Sequence, residues 1–123
     1  MESHFNFLRV KGGWTYFARL AVVSDAGIDG VQLSAEDVSE NPHLAKKWME
    51  AARLGAEKAL QAHLESGGTR LGLMIMSVLG TEVDTTCNAV EVASYCAAWK
   101  ALGHSETELA IEFDQEWRIK RME

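Results

Sequence analysis

Residues 12–24, GGWTYFARLAVVS, decide most of the fold that the sequence predicts. Gly12 and Gly13 predict a turn, because adjacent glycines adopt backbone conformations that other residues avoid. Apolar side chains then alternate over 15–24, which predicts a strand that is well buried at its end. Residues 4–10, HFNFLRV, alternate more weakly and predict a strand before the turn. The sequence therefore predicts a hairpin with Trp14 close to its turn.

A long helix is predicted after this hairpin. Asn41-Pro42 is a helix start, because Asn can cap and Pro fits the first helical position. Apolar residues repeat at helical spacing over 43–66, and two glycines at 67–68 end the helix. Gly55 lowers helix stability by about 1 kcal/mol relative to Ala, so it predicts close packing against the sheet.

A second strand-and-helix pair follows. Residues 70–79, RLGLMIMSVL, are almost entirely apolar and predict a central strand. After a loop at 80–84, Asp84 or Thr85 is expected to cap a helix that runs to Leu102.

The remaining segments predict additional strands. Residues 30–40, GVQLSAEDVSE, are irregular or form a short edge strand. Residues 109–119 alternate apolar and charged side chains, which predicts one half-buried strand of some length. The order β-β-α-β-α-β gives a single α+β domain over 1–123, with both helices side by side on one face of a mixed sheet of four or more strands. Because long amphipathic edge strands tend to pair, we expect a homodimer to which 105–123 contributes.

The amino-acid composition limits the classes of function that we expect of the protein. The chain of 123 residues is 47% hydrophobic and 24% charged, with a formal net charge of −6. That sign disfavours a general electrostatic grip on nucleic acid or on an anionic membrane, so any RNA contact would be local and shape-driven. The first residues, MESHFNFLRV, do not resemble a signal peptide, and the longest apolar run, LGLMIM, is too short to span a bilayer. We expect a cytoplasmic protein.

No residue pattern points to catalysis or metal binding. Cys87 and Cys96 are predicted to be free thiols, because they lie nine residues apart on a predicted helix. Four histidines, at positions 4, 43, 63 and 104, show no metal-ligand spacing. We expect no catalytic residue, no metal and no cofactor, and hence no enzyme.

Two stretches together resemble a known family. GGWTYFARL, 12–20, is similar to the Gly-Gly and aromatic-Ala-Arg pattern that opens the fourth domain of translation elongation factor G. GTEVDTTCNAVEVASYCAAWKALG, 80–103, is similar to a second signature of that domain, a short loop leading into an Ala-rich helix. The intervening helix and strand also fit, so the resemblance covers about residues 11–103, with 105–123 as an additional strand.

The resemblance implies both a fold and a function. The fold is a two-layer split β-α-β sandwich with a left-handed crossover, of the type seen in the second domain of small-subunit ribosomal protein five. The family's two tip loops enter the decoding site and touch transfer RNA and messenger RNA. Carried over by position, the tip comprises Gly12, Gly13, Trp14, Thr15 and Tyr16 together with Thr81, Glu82, Val83 and Asp84.

This chain departs from the family in several places. It contains no GxxxxGK[ST] phosphate loop, Thr81 replaces the tip histidine, and Thr15 and Tyr16 replace a Gly and a Gln. No good match to the family's first strand precedes Gly12. ELAIEFDQEWRI, near the C-terminus, has a similar pattern and would supply that strand in a permuted or swapped arrangement. Translocation therefore does not follow from the resemblance.

Two functions remain open. The first is a stand-alone, non-enzymatic module that contacts the ribosome or structured RNA through this tip, where Trp14 and Tyr16 could stack on bases. The second is a structural or protein-interaction protein that self-associates and has no role in translation. Alternative roles also remain open for single residues: Trp14 could cover the hairpin, Tyr16 could begin the buried face of its strand, and Asp84 could cap a helix.

Overall fold

A computed structural model of the protein describes residues 1–36, 38–39 and 41–122. Its elements are, in chain order, β1 (Glu2–Lys11), β2 (Trp14–Asp25), β3 (Val31–Glu36), α1 (Pro42–Glu65), β4 (Gly72–Leu79), α2 (Cys87–Ala101), a 3-10 turn (Glu106–Glu108), β5 (Leu109–Asp114) and β6 (Glu116–Arg121). The α+β class is confirmed: a four-stranded sheet carries two helices, and a separate two-stranded sheet follows.

The four-stranded sheet has the order β1-β2-β4-β3. β1 and β4 run antiparallel to β2, while β3 runs parallel to β4, to which it connects through α1. The apolar strand of the sequence is central, as predicted, since β4 has a neighbour on each side. The segment 30–40 provides the edge strand β3, and Asp37 and Glu40 lie outside the described residues.

One face of this sheet forms the core. Alternate residues of β2 are fully buried, at Ala18, Leu20 and Val22, and pack with Phe7 of β1 and Ile75 of β4. Residues of the opposite parity face away from this core. A register shift between Ala21 and Val22 bends the β2–β4 ladder.

Both helices cover the core face, α1 over β3 and β4 and α2 over β1 and β2. Asn41 caps α1 as predicted, because its side chain accepts hydrogen bonds from the amides of His43 and Leu44. Gly55 is buried against α2 and not against the sheet: a Cβ there would lie 2.2 Å from the carbonyl oxygen of Glu91. The hydroxyl of Ser94 donates to the Ala52 carbonyl at 2.6 Å and ties the two helices together.

The cap of α2 was predicted wrongly. Thr86 is the capping residue, with its hydroxyl accepting from the amide of Ala89 at 3.0 Å. Neither Asp84 nor Thr85 caps the helix. Thr85 is buried and uses its hydroxyl on the neighbouring strand, so only the next threonine is free to cap.

The prediction of one long C-terminal strand was also wrong. The segment folds back at Gln115, which has a φ of 65°, so that β5 and β6 pair as a hairpin. This hairpin does not complete the four-stranded sheet. The strand before Gly12 is β1 of the same chain, so the structure needs no permuted or swapped strand.

The hairpin β5–β6 packs on the core beside α2. The Trp117 ring meets the rings of Phe7 at 5.1 Å and Tyr16 at 5.5 Å, both edge-to-face. The side-chain amide of Asn88 on α2 bonds the backbone of Trp117 in both directions, at 2.9 and 2.7 Å. The apolar side of the C-terminal segment therefore contributes to this chain's own core.

Two further expectations concern membranes and thiols. Within the described part of the chain, no helix combines the length and apolar character that crossing a bilayer requires. Both cysteines are free, Cys87 exposed and Cys96 buried, as the helical spacing predicted.

Candidate functional site

The first part of the predicted tip is the turn between β1 and β2. Gly12 and Gly13 have positive φ values of 59° and 81° and form a two-residue turn between the paired Lys11 and Trp14. Two successive positive φ values are typical of tight hairpin turns and favour glycine. No atom lies within 4 Å of a Cβ built at either position, so turn geometry and not close packing explains the pair.

The aromatic residues after the turn have different environments. Trp14 is 70% exposed. Tyr16 is half-buried and packs its ring against Trp117 at 5.5 Å and Phe113 at 6.0 Å. Trp14 and Thr15 are therefore the accessible residues of this stretch, while Tyr16 contributes to the core of the molecule.

The second part of the predicted tip is the loop between β4 and α2. The amide of Thr81 donates to the hydroxyl of Thr85 at 2.8 Å, and the amide of Asp84 donates to the hydroxyl of Thr81 at 3.1 Å. These bonds close a compact loop. Thr81, Glu82 and Val83 are exposed on it, Val83 at 89%, and Asp84 is half-buried.

Two hydrogen bonds attach this loop to β2. The amide of Phe17 donates to the carbonyl of Asp84 at 2.9 Å, and the hydroxyl of Thr85 donates to the carbonyl of Phe17 at 2.7 Å. Phe17 lies three residues after Trp14. The loop therefore lies at the same end of the sheet as the glycine turn, and we call the exposed residues Trp14, Thr15, Thr81, Glu82 and Val83 the tip.

Sequence reasoning missed the residue that holds the tip together. Thr85 is buried, and its hydroxyl serves both the loop and β2. A Thr-Thr pair before a helix signals a cap, but it does not reveal which hydroxyl turns inward.

Charges of both signs lie on or beside the tip. Lys11 flanks the glycine turn, and Glu82 lies on the loop. Such a surface suits aromatic and shape-driven contacts better than a purely electrostatic one.

No metal-binding cluster accompanies the tip. The described residues contain no group of three or more His, Cys, Asp or Glu side chains able to hold a metal ion. Burial raises the pKa of the Cys96 thiol to about 12, with Glu106 contributing in the same direction, so this thiol stays protonated and unreactive at neutral pH. His63 and His104 do meet, although 41 residues apart, at the C-terminal ends of the two helices.

The comparisons with known proteins support the fold alone. No protein-family model matches the chain, and no curated protein matches its sequence. Among solved structures, the protein ttk003000868 from Thermus thermophilus is similar over 80% of this chain, with a TM-score of 0.60 and 16% sequence identity. The match covers 15% of that protein, so this chain corresponds to a small part of a much longer one.

Proposed function

We propose that this chain is a cytoplasmic, non-enzymatic binding module that resembles the fourth domain of elongation factor G and contacts the ribosome or structured RNA through the tip. In this proposal the sheet and helices form the split β-α-β sandwich of that domain, with its left-handed crossover. The four-stranded sheet with two helices and the similarity to one part of a longer Thermus protein are compatible with it.

The observation that carries the proposal is the attachment of the loop to β2. The two hydrogen bonds at Phe17 join the loop that begins the second signature to the strand of the first, although the two signatures lie about sixty residues apart in the chain. Trp14 offers an exposed aromatic ring at that end. Stacking of a base on such a ring contributes about 1–3 kcal/mol and tolerates any base.

Sedimentation with purified ribosomes tests this function. We expect the wild-type chain to co-sediment, and Trp14→Ala to weaken binding about tenfold through the loss of stacking. Trp14→Phe should retain most of the binding, because it keeps a ring. Leu64→Ala changes an exposed apolar side chain near the C-terminal end of α1, away from the tip, and should have no effect. Failure of the wild type to sediment, or equal binding by Trp14→Ala, would contradict the proposal.

The second candidate function is self-association. The observation that favours it is the outer face of the sheet, where Leu8 and Val10 are 58% and 71% exposed and Leu79 is also exposed. The segment 105–123 folds back as a hairpin and packs its apolar side on this chain's own core, so we propose the outer sheet face and not this segment as the contact. A second copy of this chain would instead bind the outer sheet face.

Light scattering, which measures the oligomeric state, tests this second function. A dimer that Leu8→Lys dissociates would support it, with Leu54→Lys on the exposed side of α1 as the control. A monomer at high protein concentration would contradict it.

A further inference from the structure

The main sheet ends at β3, and one side of this strand has no neighbouring strand. The amide of Leu73 on the parallel strand β4 donates to the carbonyl of Gly30 at 2.8 Å. Because alternate residues of a strand bond to the same neighbour, Gly30 and Gln32 face β4. The amides and carbonyls of Val31 and Leu33 therefore point outward, and no group in the described part of the chain bonds to them.

The opposite edge of the sheet, on β1, differs in this respect. Nζ of Lys100 donates to the carbonyl of His4 at 3.0 Å, and the guanidinium of Arg9 donates to the carbonyl of Leu8 at 3.0 Å. Charged side chains along an edge strand oppose the addition of a further strand. Of the two edges, β3 is therefore the more open to a partner strand.

An apolar groove of about 330 Å³ lies between β3 and α1. Its apolar lining consists of Val31, Leu60 and Leu64. Leu64 is 44% exposed, and the other two side chains are half-buried. A strand added to β3 would lie about 4.8 Å beyond it, and every second side chain of that strand would point to the side on which α1 lies. The groove is therefore placed to receive an apolar side chain of an added strand.

The groove has an acidic rim. Glu57 and Glu65 of α1 line it together with Gln61, and its lining includes no basic side chain. Both carboxylates are exposed, and neither forms an ion pair with a described cation, although Arg70 lines an adjoining depression. A second copy paired along β3 would bring two acidic rims together, which like-charge repulsion opposes. A strand with basic side chains would instead meet the opposite charge.

The spacing of these residues indicates where the basic side chains should lie. Glu57 and Glu65 are separated by eight residues, which is about 12 Å along a helix axis, and Leu60 and Leu64 lie between them. In a strand, residues two before and two after a central residue are about 13 Å apart and point to the same face as that residue. A central apolar side chain in the groove would therefore have its flanking partners close to the two carboxylates.

We propose that the outer edge of β3 binds an extended protein segment in which Lys or Arg stands two residues before and two residues after an apolar residue. The backbone of the segment bonds to the outward groups of Val31 and Leu33 and extends the sheet by one strand. Its apolar side chain fills the groove beside Leu60 and Leu64, and its basic side chains meet the acidic rim.

This site is separate from the tip. Val31 lies opposite Leu73 near the start of β4, whereas the loop of the tip follows the end of β4. The groove is therefore at the opposite end of the sheet, and its failure to bind a strand would leave the proposed function untouched.

A nuclear magnetic resonance titration with the blocked peptide Thr-Arg-Thr-Leu-Thr-Arg-Thr tests the proposal. We expect saturable shifts of the Val31 and Leu33 amides, and slower hydrogen exchange of both, because a new hydrogen bond protects an exposed amide. The peptide Thr-Thr-Arg-Leu-Arg-Thr-Thr has the same composition but turns its arginines to the other face, and should bind more weakly. The first peptide with every amide N-methylated lacks donors and should not bind.

Matched variants complete the test. Glu57→Gln combined with Glu65→Gln should weaken peptide binding about threefold to thirtyfold, the range for two exposed ion pairs. Glu112→Gln combined with Glu116→Gln removes two exposed charges from the C-terminal hairpin and should bind as the wild type does.

Three results would overturn the proposal. The first is the absence of saturable shifts with the first peptide. The second is equal binding of that peptide and either its rearranged or its N-methylated form. The third is protection of the Val31 and Leu33 amides without peptide in a dimeric protein, which would assign the edge to a second copy of the chain.

Discussion

Trp14 and Trp117 differ in exposure, 70% against 7%, and this difference predicts opposite effects of truncation. We expect Trp14→Ala to lower the free energy of unfolding by less than about 1 kcal/mol, the usual range for a surface change. Trp117→Ala should cost about 3–5 kcal/mol, because it removes a large side chain packed on Phe7 and Tyr16. Urea denaturation measures both variants. A loss above about 2 kcal/mol for Trp14→Ala would show that its ring covers apolar surface, and would argue against a binding tip.

The two thiols of α2 should react very differently. Cys87 is exposed at the start of the helix, whereas Cys96 is buried and has its pKa raised to about 12 by burial and by Glu106. Since the thiolate is the nucleophile, an alkylating reagent at neutral pH should modify one cysteine per native chain. Mass spectrometry counts the adducts, and Cys87→Ser should acquire none. Rapid double modification of the native wild type would contradict this assignment.

At single positions, the sequence identified which residues are important better than it identified what each of them does in the structure. The glycine turn and the Asn41 cap followed from residue type, because few residues suit a positive φ or an N-cap. The roles of Tyr16 and of the polar residues before α2 did not follow from residue type. They depend on contacts with residues that are distant in the chain. Tyr16 packs on a segment about a hundred residues away, and Thr85 is withdrawn from capping by its bond to Phe17.

At the scale of elements, Gly55 separates helix propensity from helix packing. Alanine is favoured over glycine inside a helix by about 1 kcal/mol, so propensity alone predicts that Gly55→Ala stabilises the protein. Here the new Cβ would lie 2.2 Å from the Glu91 carbonyl oxygen of α2. We therefore expect destabilisation by about 1–3 kcal/mol, the range for overpacking. Urea denaturation gives the sign, with Glu57→Ala on the exposed side of α1 as control. A more stable Gly55→Ala would show that the helices can separate at little cost.

Both helices and the two long strands of the main sheet could be predicted, because their periodicity persists over many residues and their ends carry turn or cap residues. The C-terminal hairpin, β5–β6, could not be predicted from the sequence. Its turn has no glycine: Gln115 takes the positive φ, and apolar residues alternate on both sides of it. The pattern therefore continues through the turn as if through one strand. The cost of an unfavourable φ is outweighed by packing of Trp117 on the core, which no local pattern reveals.

At the scale of the whole molecule, periodicity specifies which face of an element is buried but not which elements meet. His63 and His104 show this limit. Each lies just where a helix ends, with no spacing that links them, and they come together only because α1 and α2 end side by side over one sheet face. The tip could be proposed from the sequence as a candidate site, because its residues lie in two stretches with recognisable patterns. The histidine pair required the packing of two segments that are distant in the chain.

This histidine pair should also shape the pH dependence of stability. Burial, His63 and Arg121 hold the pKa of His104 below its ordinary value of about 6.5. The unfolded chain then binds this proton more readily than the folded chain. Its contribution to stability is therefore complete above about pH 6.5 and decreases as the pH falls through and below that value. Urea denaturation at about pH 7.5 and about pH 5 measures the decrease. We expect a smaller decrease for His104→Gln and an unchanged one for His43→Gln, since His43 is exposed at the start of α1. An equal decrease in wild type and His104→Gln would show that other groups dominate acid destabilisation.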